Sequence, residues 1–137
     1  MKTILVIEDE PLVRSFVVSV LTRENYGVLE ADSASEAREV SNDFEKIDLV
    51  ITDHTIETMT GRLLVEQLRL SRPHLKVLHM SGYSEEYLLS RGTLPIGTPF
   101  LPKPFVHTNL VDAVQRLFSP PADRYWSVTA DLPPLIH

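Results

Sequence analysis

The sequence predicts an α/β protein: a doubly wound parallel sheet of five strands with five helices. Three observations predict it. Apolar runs of strand length lack the polar alternation of a half-exposed strand, which is the pattern of strands buried on both faces. Between them lie longer stretches with apolar residues spaced three and four apart, the period of an amphipathic helix. The two kinds of segment alternate strictly, as βαβ units require. At 137 residues the chain has room for one ordinary domain, taking about 150 residues per domain.

Ile4-Leu5-Val6-Ile7 is the first strand. The first helix carries Leu12, Val13, Phe16, Val17, Val20 and Leu21 on its apolar face, with Pro11 where a first turn tolerates it. Tyr26 to Ala31 forms the second strand. Ser33-Ala34-Ser35-Glu36 has the spacing of a capping box. It opens a second helix from about Ala34 to Asp43 that would bury Ala34, Ala37 and Val40, with Phe44 a candidate beyond them. Leu49 to Thr52 is the third strand. A third helix, from Gly61 to about Arg72, carries the stripe Leu64, Val65 and Leu68 and is stopped by Pro73. Val77 to Met80 is the fourth strand and Ser84 to Arg91 a short fourth helix. Gly92 to Pro99 is a loop whose glycines and prolines forbid regular structure. Phe100-Leu101 is a short fifth strand, and a last helix starting near Thr108 buries Leu110, Val111, Val114, Leu117 and Phe118. Residues 119–137 contain four prolines and no helical period, so they read as a flexible tail to a domain of residues 1–118.

Composition excludes several classes. With 13 basic and 19 acidic side chains the formal charge is −6, and no dense Lys/Arg cluster offers the footprint of a nucleic-acid module. The absence of cysteine excludes a disulfide framework, thiolate zinc and thiol catalysis. The longest uncharged stretch, Gly92 to Pro102, is broken by three prolines, whereas a membrane span needs ~20 mostly apolar residues. The start lacks a signal peptide's long apolar core. A soluble, cytoplasmic protein is expected.

In an open parallel α/β sheet, functional groups collect beyond the carboxyl ends of the strands. There stand Glu8, Asp9 and Glu10 after the first strand, Asp53 after the third, Ser81 and Gly82 after the fourth, and Lys103 with Pro104 after the fifth. Clustered carboxylates repel and call for a cation or protons. Mg²⁺, an oxygen-seeking ion usually held by one or two carboxylates plus phosphate, answers that need. A carboxylate can also attack phosphorus, giving an aspartyl phosphate. Phosphoryl transfer then asks the protein chiefly for positioning and charge stabilisation, which a lysine and a hydroxyl supply. The set fits metal-assisted phosphoryl capture better than acyl transfer, which wants a serine partnered by histidine. His54, beside Asp53, is a poor ligand candidate for Mg²⁺, and His79 reads as a packed strand residue.

These residues resemble the receiver domain of two-component response regulators. The resemblance rests on Ile4-Leu5-Val6-Ile7-Glu8-Asp9-Glu10-Pro11, on Asp53 closing Leu49-Val50-Ile51-Thr52, and on Gly61 eight positions later. It rests also on Met80-Ser81-Gly82-Tyr83 and Phe100-Leu101-Pro102-Lys103-Pro104-Phe105, and covers about residues 2–118. It implies a flavodoxin-like sheet of strand order 2-1-3-4-5, and a signalling module rather than an enzyme. Asp53 would accept a phosphoryl group, in a Mg²⁺-dependent reaction, from a sensor histidine kinase or a histidine phosphotransfer protein. Glu8, Asp9 and Asp53 would hold Mg²⁺ with the Thr55 backbone carbonyl. Lys103 and Ser81 would contact the phosphoryl group, and the Lys103–Pro104 peptide bond would be cis. Ser81 and Phe100 match the positions of the family's conformational switch. A downstream protein would read the face built by the fourth helix, fifth strand and fifth helix, a homodimer is compatible with this, and no nucleic-acid or membrane partner is expected.

The chain departs from the family's pattern at Ile56 and Glu57, where Met-Pro or a similar pair is usual, and at Phe100, which replaces the commoner tyrosine and its hydroxyl. Thr55, Glu57 and Tyr83 flank the pocket at positions expected to tune the lifetime of the phosphate. The Met-Ser-Gly-Tyr-Ser run and the Pro/Gly loop are more like the receivers of hybrid histidine kinases than those joined to DNA-binding domains. An alternative is a pseudo-receiver, a constitutive protein-binding module in which Ile56 and Glu57 mark a site drifting from use. A hydrolase with an Asp nucleophile is disfavoured, because Thr55 stands where its general acid would be.

Overall fold

The structure, a computed structural model, describes residues 1–53, 59–92 and 98–119, with residues 59–62 and 85 described as backbone only. Its elements are β1 (Thr3–Ile7), α1 (Pro11–Arg23), β2 (Gly27–Ala31), α2 (Ala34–Asp43), β3 (Leu49–Asp53), α3 (Met59–Ser71), β4 (Lys76–Ser81), α4 (Glu85–Ser90), β5 (Phe100–Pro102) and α5 (His107–Phe118). The strands pair in parallel in the order β2-β1-β3-β4-β5. The order reverses between β1 and β3, so the connections leaving these two strands diverge and a crevice opens at their carboxyl ends.

Both faces of the sheet are buried, which is why the central strands are mostly apolar. Ile4 and Val6 of β1, Leu49 and Ile51 of β3, and Leu78 and Met80 of β4 pack with Val17, Val20 and Leu21 of α1 and Leu110, Val111 and Val114 of α5. The alternate residues Leu5, Ile7, Val50 and Val77 pack on the other face with Ala37 of α2 and with Leu64 and Leu68 of α3. Each such aliphatic side chain contributes roughly 1.5–3 kcal/mol by leaving water.

Helix ends follow local chemistry. α1 closes in a Schellman motif: Tyr26 N–H donates to the Leu21 carbonyl, Asn25 N–H donates to that of Thr22, and Asn25 takes the left-handed φ of 67°. At α2, Ser33 Oγ accepts from Glu36 N–H at 3.1 Å, while the Glu36 carboxylate accepts from Asp32 N–H at 3.0 Å, one residue before the position a capping box specifies. No glycine ends α2. Arg72, the residue after α3, does so, donating to the carbonyls of Ser41, Phe44 and Glu45. α4 starts on Ser84 Oγ, which accepts from Tyr87 N–H, and ends at Gly92 with φ of 69°.

Three core expectations are corrected. Leu12 is 86% exposed and Phe16 39% exposed, because the apolar arc of α1 is wider than the sheet can cover; Phe16 meets the Phe105 ring instead, at 6.2 Å between centroids. Phe44 is 47% exposed because the helix has ended at Asp43 and Phe44 continues in extended backbone. His79 packs within β4, as expected of a strand residue. Among the described residues, no helix is long and apolar enough to cross a membrane. The tail beyond residue 119 lies outside the described residues.

Candidate functional site

Alternation along the strands builds the site. Counted by twos from the buried Ile4 and Val6, Glu8 falls on the face of the sheet covered by α1 and α5. Asp53 falls there from Leu49 and Ile51, and Lys103 from Leu101. Three residues far apart in sequence therefore share one face at one edge. Asp53 and Ser81 are the last residues of β3 and β4, one position further into the strands than the sequence suggests, and their backbones are fixed in register with Met80 and Pro102.

Lys103 Nζ lies 2.7 Å from Glu8 Oε1 and 2.7 Å from Asp53 Oδ2. Glu8 is wholly buried and Asp53 nearly so, while Asp9 is exposed at the rim. One carboxylate oxygen from each of Glu8, Asp9 and Asp53 lies within 4.8 Å of the others. Burial, reinforced by Asp53 and Asp9, pushes the Glu8 carboxyl up to about 7, although Lys103 and the Glu10 N–H hold it down. For Lys103 burial works against the ammonium, but its hydrogen bonds and charge contacts with Asp53 and Glu8 outweigh burial, and the group titrates above its ordinary value. The centre thus carries three acids against one lysine. An all-oxygen set at this spacing fits a hard divalent cation, with Glu8, Asp9 and Asp53 as the residues that would hold it.

Ser81 is fully buried, and its Oγ accepts from the Tyr83 N–H at 3.0 Å. Phe100 is half-buried in β5, and Tyr83 is exposed. The Lys103–Pro104 peptide bond is cis. Thr55 and Glu57, together with His54 and Ile56, lie outside the described residues. Two groupings near the site escape a reading of strand ends. Arg14, on α1, donates from Nη1 to the Glu8 carbonyl at 2.7 Å. Tyr87 stacks on Tyr83 at 5.1 Å between ring centroids, and the Arg91 guanidinium lies over the Tyr87 ring at 5.5 Å from its centroid. The spacing 83, 87, 91 is the available signal: the four-residue interval brings together side chains at the two ends of the short α4 and on it.

Fold and site together define a doubly wound α/β domain with an acid–lysine centre at the point where its strand order reverses. The model of the response regulator receiver domain matches residues 4–115, and the chain belongs to that family of two-component signal-transduction proteins. It is 34% identical over 116 residues to the sensor kinase CckA of Brucella abortus (strain 2308), covering 84% of this chain and 12% of that protein. It is 29% identical over 117 residues to the response regulator receiver protein CpdR of the same organism, covering 85% of this chain and 97% of the relative. Among solved structures, the receiver domain of the hybrid histidine kinase CckA matches with a TM-score of 0.68 at 30% identity, over 85% of this chain and 99% of the other. The response regulator TrrA of Thermotoga maritima, in complex with Mg²⁺ and BeF, matches with a TM-score of 0.67 at 27% identity, over 86% and 100%.

Proposed function

We propose that the chain is a phosphorylatable receiver, in which Asp53 takes a phosphoryl group from a histidine kinase or a histidine phosphotransfer protein and a conformational change passes the signal to a partner protein. The observation that carries this reading is the Lys103 ammonium held 2.7 Å from both Glu8 Oε1 and Asp53 Oδ2. An Asp53 oxygen attacks phosphorus as the P–N bond to the donor's imidazole breaks, and the imidazole keeps the bonding pair. Lys103, already within reach of Asp53, neutralises charge on the transferred oxygens. Mg²⁺, held by Glu8, Asp9 and Asp53 with the Thr55 carbonyl, would supply further neutralisation of that charge. Ser81 then exchanges its Tyr83 bond for one to a phosphoryl oxygen, and with Phe100 it shifts the β4–α4 and β5 surface that a target reads, through α4, β5 and α5. Phosphate drives this change by binding one state better than the other.

A donor protein has a place to land. Beside Lys103 runs a groove of ≈ 570 Å³ lined by Glu10, Leu12, Val13, Phe16 and Phe105. It accounts for the apolar side chains that α1 leaves exposed. The function is that of a signalling module, not of an enzyme with a turnover substrate, and the receiver unit is residues 1–118. The test is mass spectrometry after incubation with Mg²⁺ and acetyl phosphate. One phosphoryl group on Asp53 is expected, and none in Asp53→Ala. Equal labelling of Asp53→Ala would overturn the assignment, and no labelling by any donor would favour a constitutive binding module.

A further inference from the structure

We infer that Arg14 is a positioning residue for the cation site. Its Nη1 donates to the Glu8 carbonyl at 2.7 Å while its Nε donates to Glu30 Oε1 at 3.1 Å. The Glu8 carbonyl belongs to the peptide that joins Glu8 to Asp9. On its other side Glu8 is tied through its N–H to the Ala31 carbonyl at 3.0 Å. β2 therefore holds the end of β1 twice: directly at Ala31, and through Glu30 and Arg14 across the turn.

What this fixes is the orientation of the Glu8–Asp9 peptide plane. Glu8 is buried and anchored by Lys103, but Asp9 is exposed at the rim. If the peptide between them turned, Asp9 would swing while Glu8 stayed, and the three carboxylate oxygens would lose the mutual spacing of 4.8 Å or less. Mg²⁺ demands near-octahedral geometry and tolerates displaced ligands poorly. Outer residues that hold metal ligands in place commonly govern affinity by about 10–100-fold. Glu30 pairs with the guanidinium, so the arginine points its fork at the turn rather than into the acid cluster.

The inference rests on the proposed cation site, and charge and position predict opposite signs. Removing a cation from beside three carboxylates would by charge alone tighten Mg²⁺ binding, whereas loss of positioning weakens it. Calorimetric titration with MgCl₂ at fixed ionic strength, with thermal melts in parallel, separates them. Arg14→Ala is expected to bind Mg²⁺ about 10–100-fold more weakly. Arg14→Lys, which keeps the charge and one donor but not the fork, is expected to recover part of that loss. Unchanged or tighter Mg²⁺ binding by folded Arg14→Ala would overturn the inference. If Arg14→Ala does not fold, Arg14→Lys decides, and wild-type affinity there would overturn it as well. Absence of Mg²⁺ binding by the unsubstituted protein would remove both this inference and the cation site it rests on.

Discussion

Glu8 sits in a conflict of charges that pH resolves. Its carboxyl ionises at about 7 in the folded chain against 4.5 for an ordinary glutamate, because burial penalises the charged form. The folded state therefore binds the extra proton. The stability it confers is fully present below about 4.5 and is lost as pH rises through about 7. Without Mg²⁺, the melting temperature is expected to fall across that window, and Glu8→Gln is expected to flatten the dependence. A bound cation needs the carboxylate, so Mg²⁺ affinity should rise with pH, from about pH 5.5 to about pH 8, as titration calorimetry would show. Lys103 is the complement. Replacing it with Met leaves Glu8 and Asp53 facing each other, and breaking such a pair typically costs ~3–5 kcal/mol. Because the Lys103 side chain is 19% exposed, a loss toward the lower end is expected in denaturant melts. Millimolar Mg²⁺ should restore more stability to Lys103→Met than to the parent. Equal melts for the two proteins would contradict the role of the ammonium as internal counter-ion.

At the scale of elements, the fold was legible wherever periodicity and punctuation agree, and illegible where tertiary contact decides. The strands, the start of α2 at Ser33 and the stop of α3 before Pro73 all announce themselves. The end of α2 does not, since its carbonyls are satisfied by Arg72 from 28 residues beyond Phe44. Leu12 and Phe16 are exposed against the expectation because helical spacing identifies an apolar face without saying how much of it the sheet covers. The acid–lysine centre was legible because Glu8, Asp53 and Lys103 stand at the carboxyl ends of their strands; that the strand period of two also carries them to one face is seen in the structure. Arg14 was not, since its target is a backbone carbonyl that no spacing marks. The Schellman end of α1 gives a direct test. Asn25→Val places a branched side chain at φ of 67° and is expected to cost about 1–2 kcal/mol, whereas Asn25→Gly should be tolerated. Ser81 gives another. In Ser81→Ala the Tyr83 N–H loses its acceptor, so the Tyr83 amide should exchange faster with solvent while amides in the middle of β4 keep their protection. If Tyr83 exchange is unchanged, Ser81 does not hold the entry to α4.

For the whole molecule, the acid–lysine centre and the groove proposed for docking are neighbouring but separable surfaces. Lys103 and Glu10 line the groove as well as standing at the acid edge, so a protein seated on Leu12, Phe16 and Phe105 would bring a donor group up to Asp53. On the proposed function, the crevice at the strand ends would provide the reacting atoms, and the exposed apolar side chains of α1 would form the shelf that a donor protein covers. The two parts answer differently to substitution. Leu12, being 86% exposed, contributes little to the core, so Leu12→Glu should leave the fold and the melting temperature nearly unchanged. The same change puts a charge on the shelf. Truncating an interface hot spot costs at least ~2 kcal/mol, and a buried charge more, so phosphorylation by a cognate kinase or phosphotransfer protein should slow by about tenfold or more. A small donor needs no shelf, and acetyl phosphate with Mg²⁺ should label Asp53 in Leu12→Glu at the parental rate. Equal slowing with both donors would mean that Leu12 acts on the reacting centre itself. Equal rates with both would place the donor protein's landing site elsewhere on the surface.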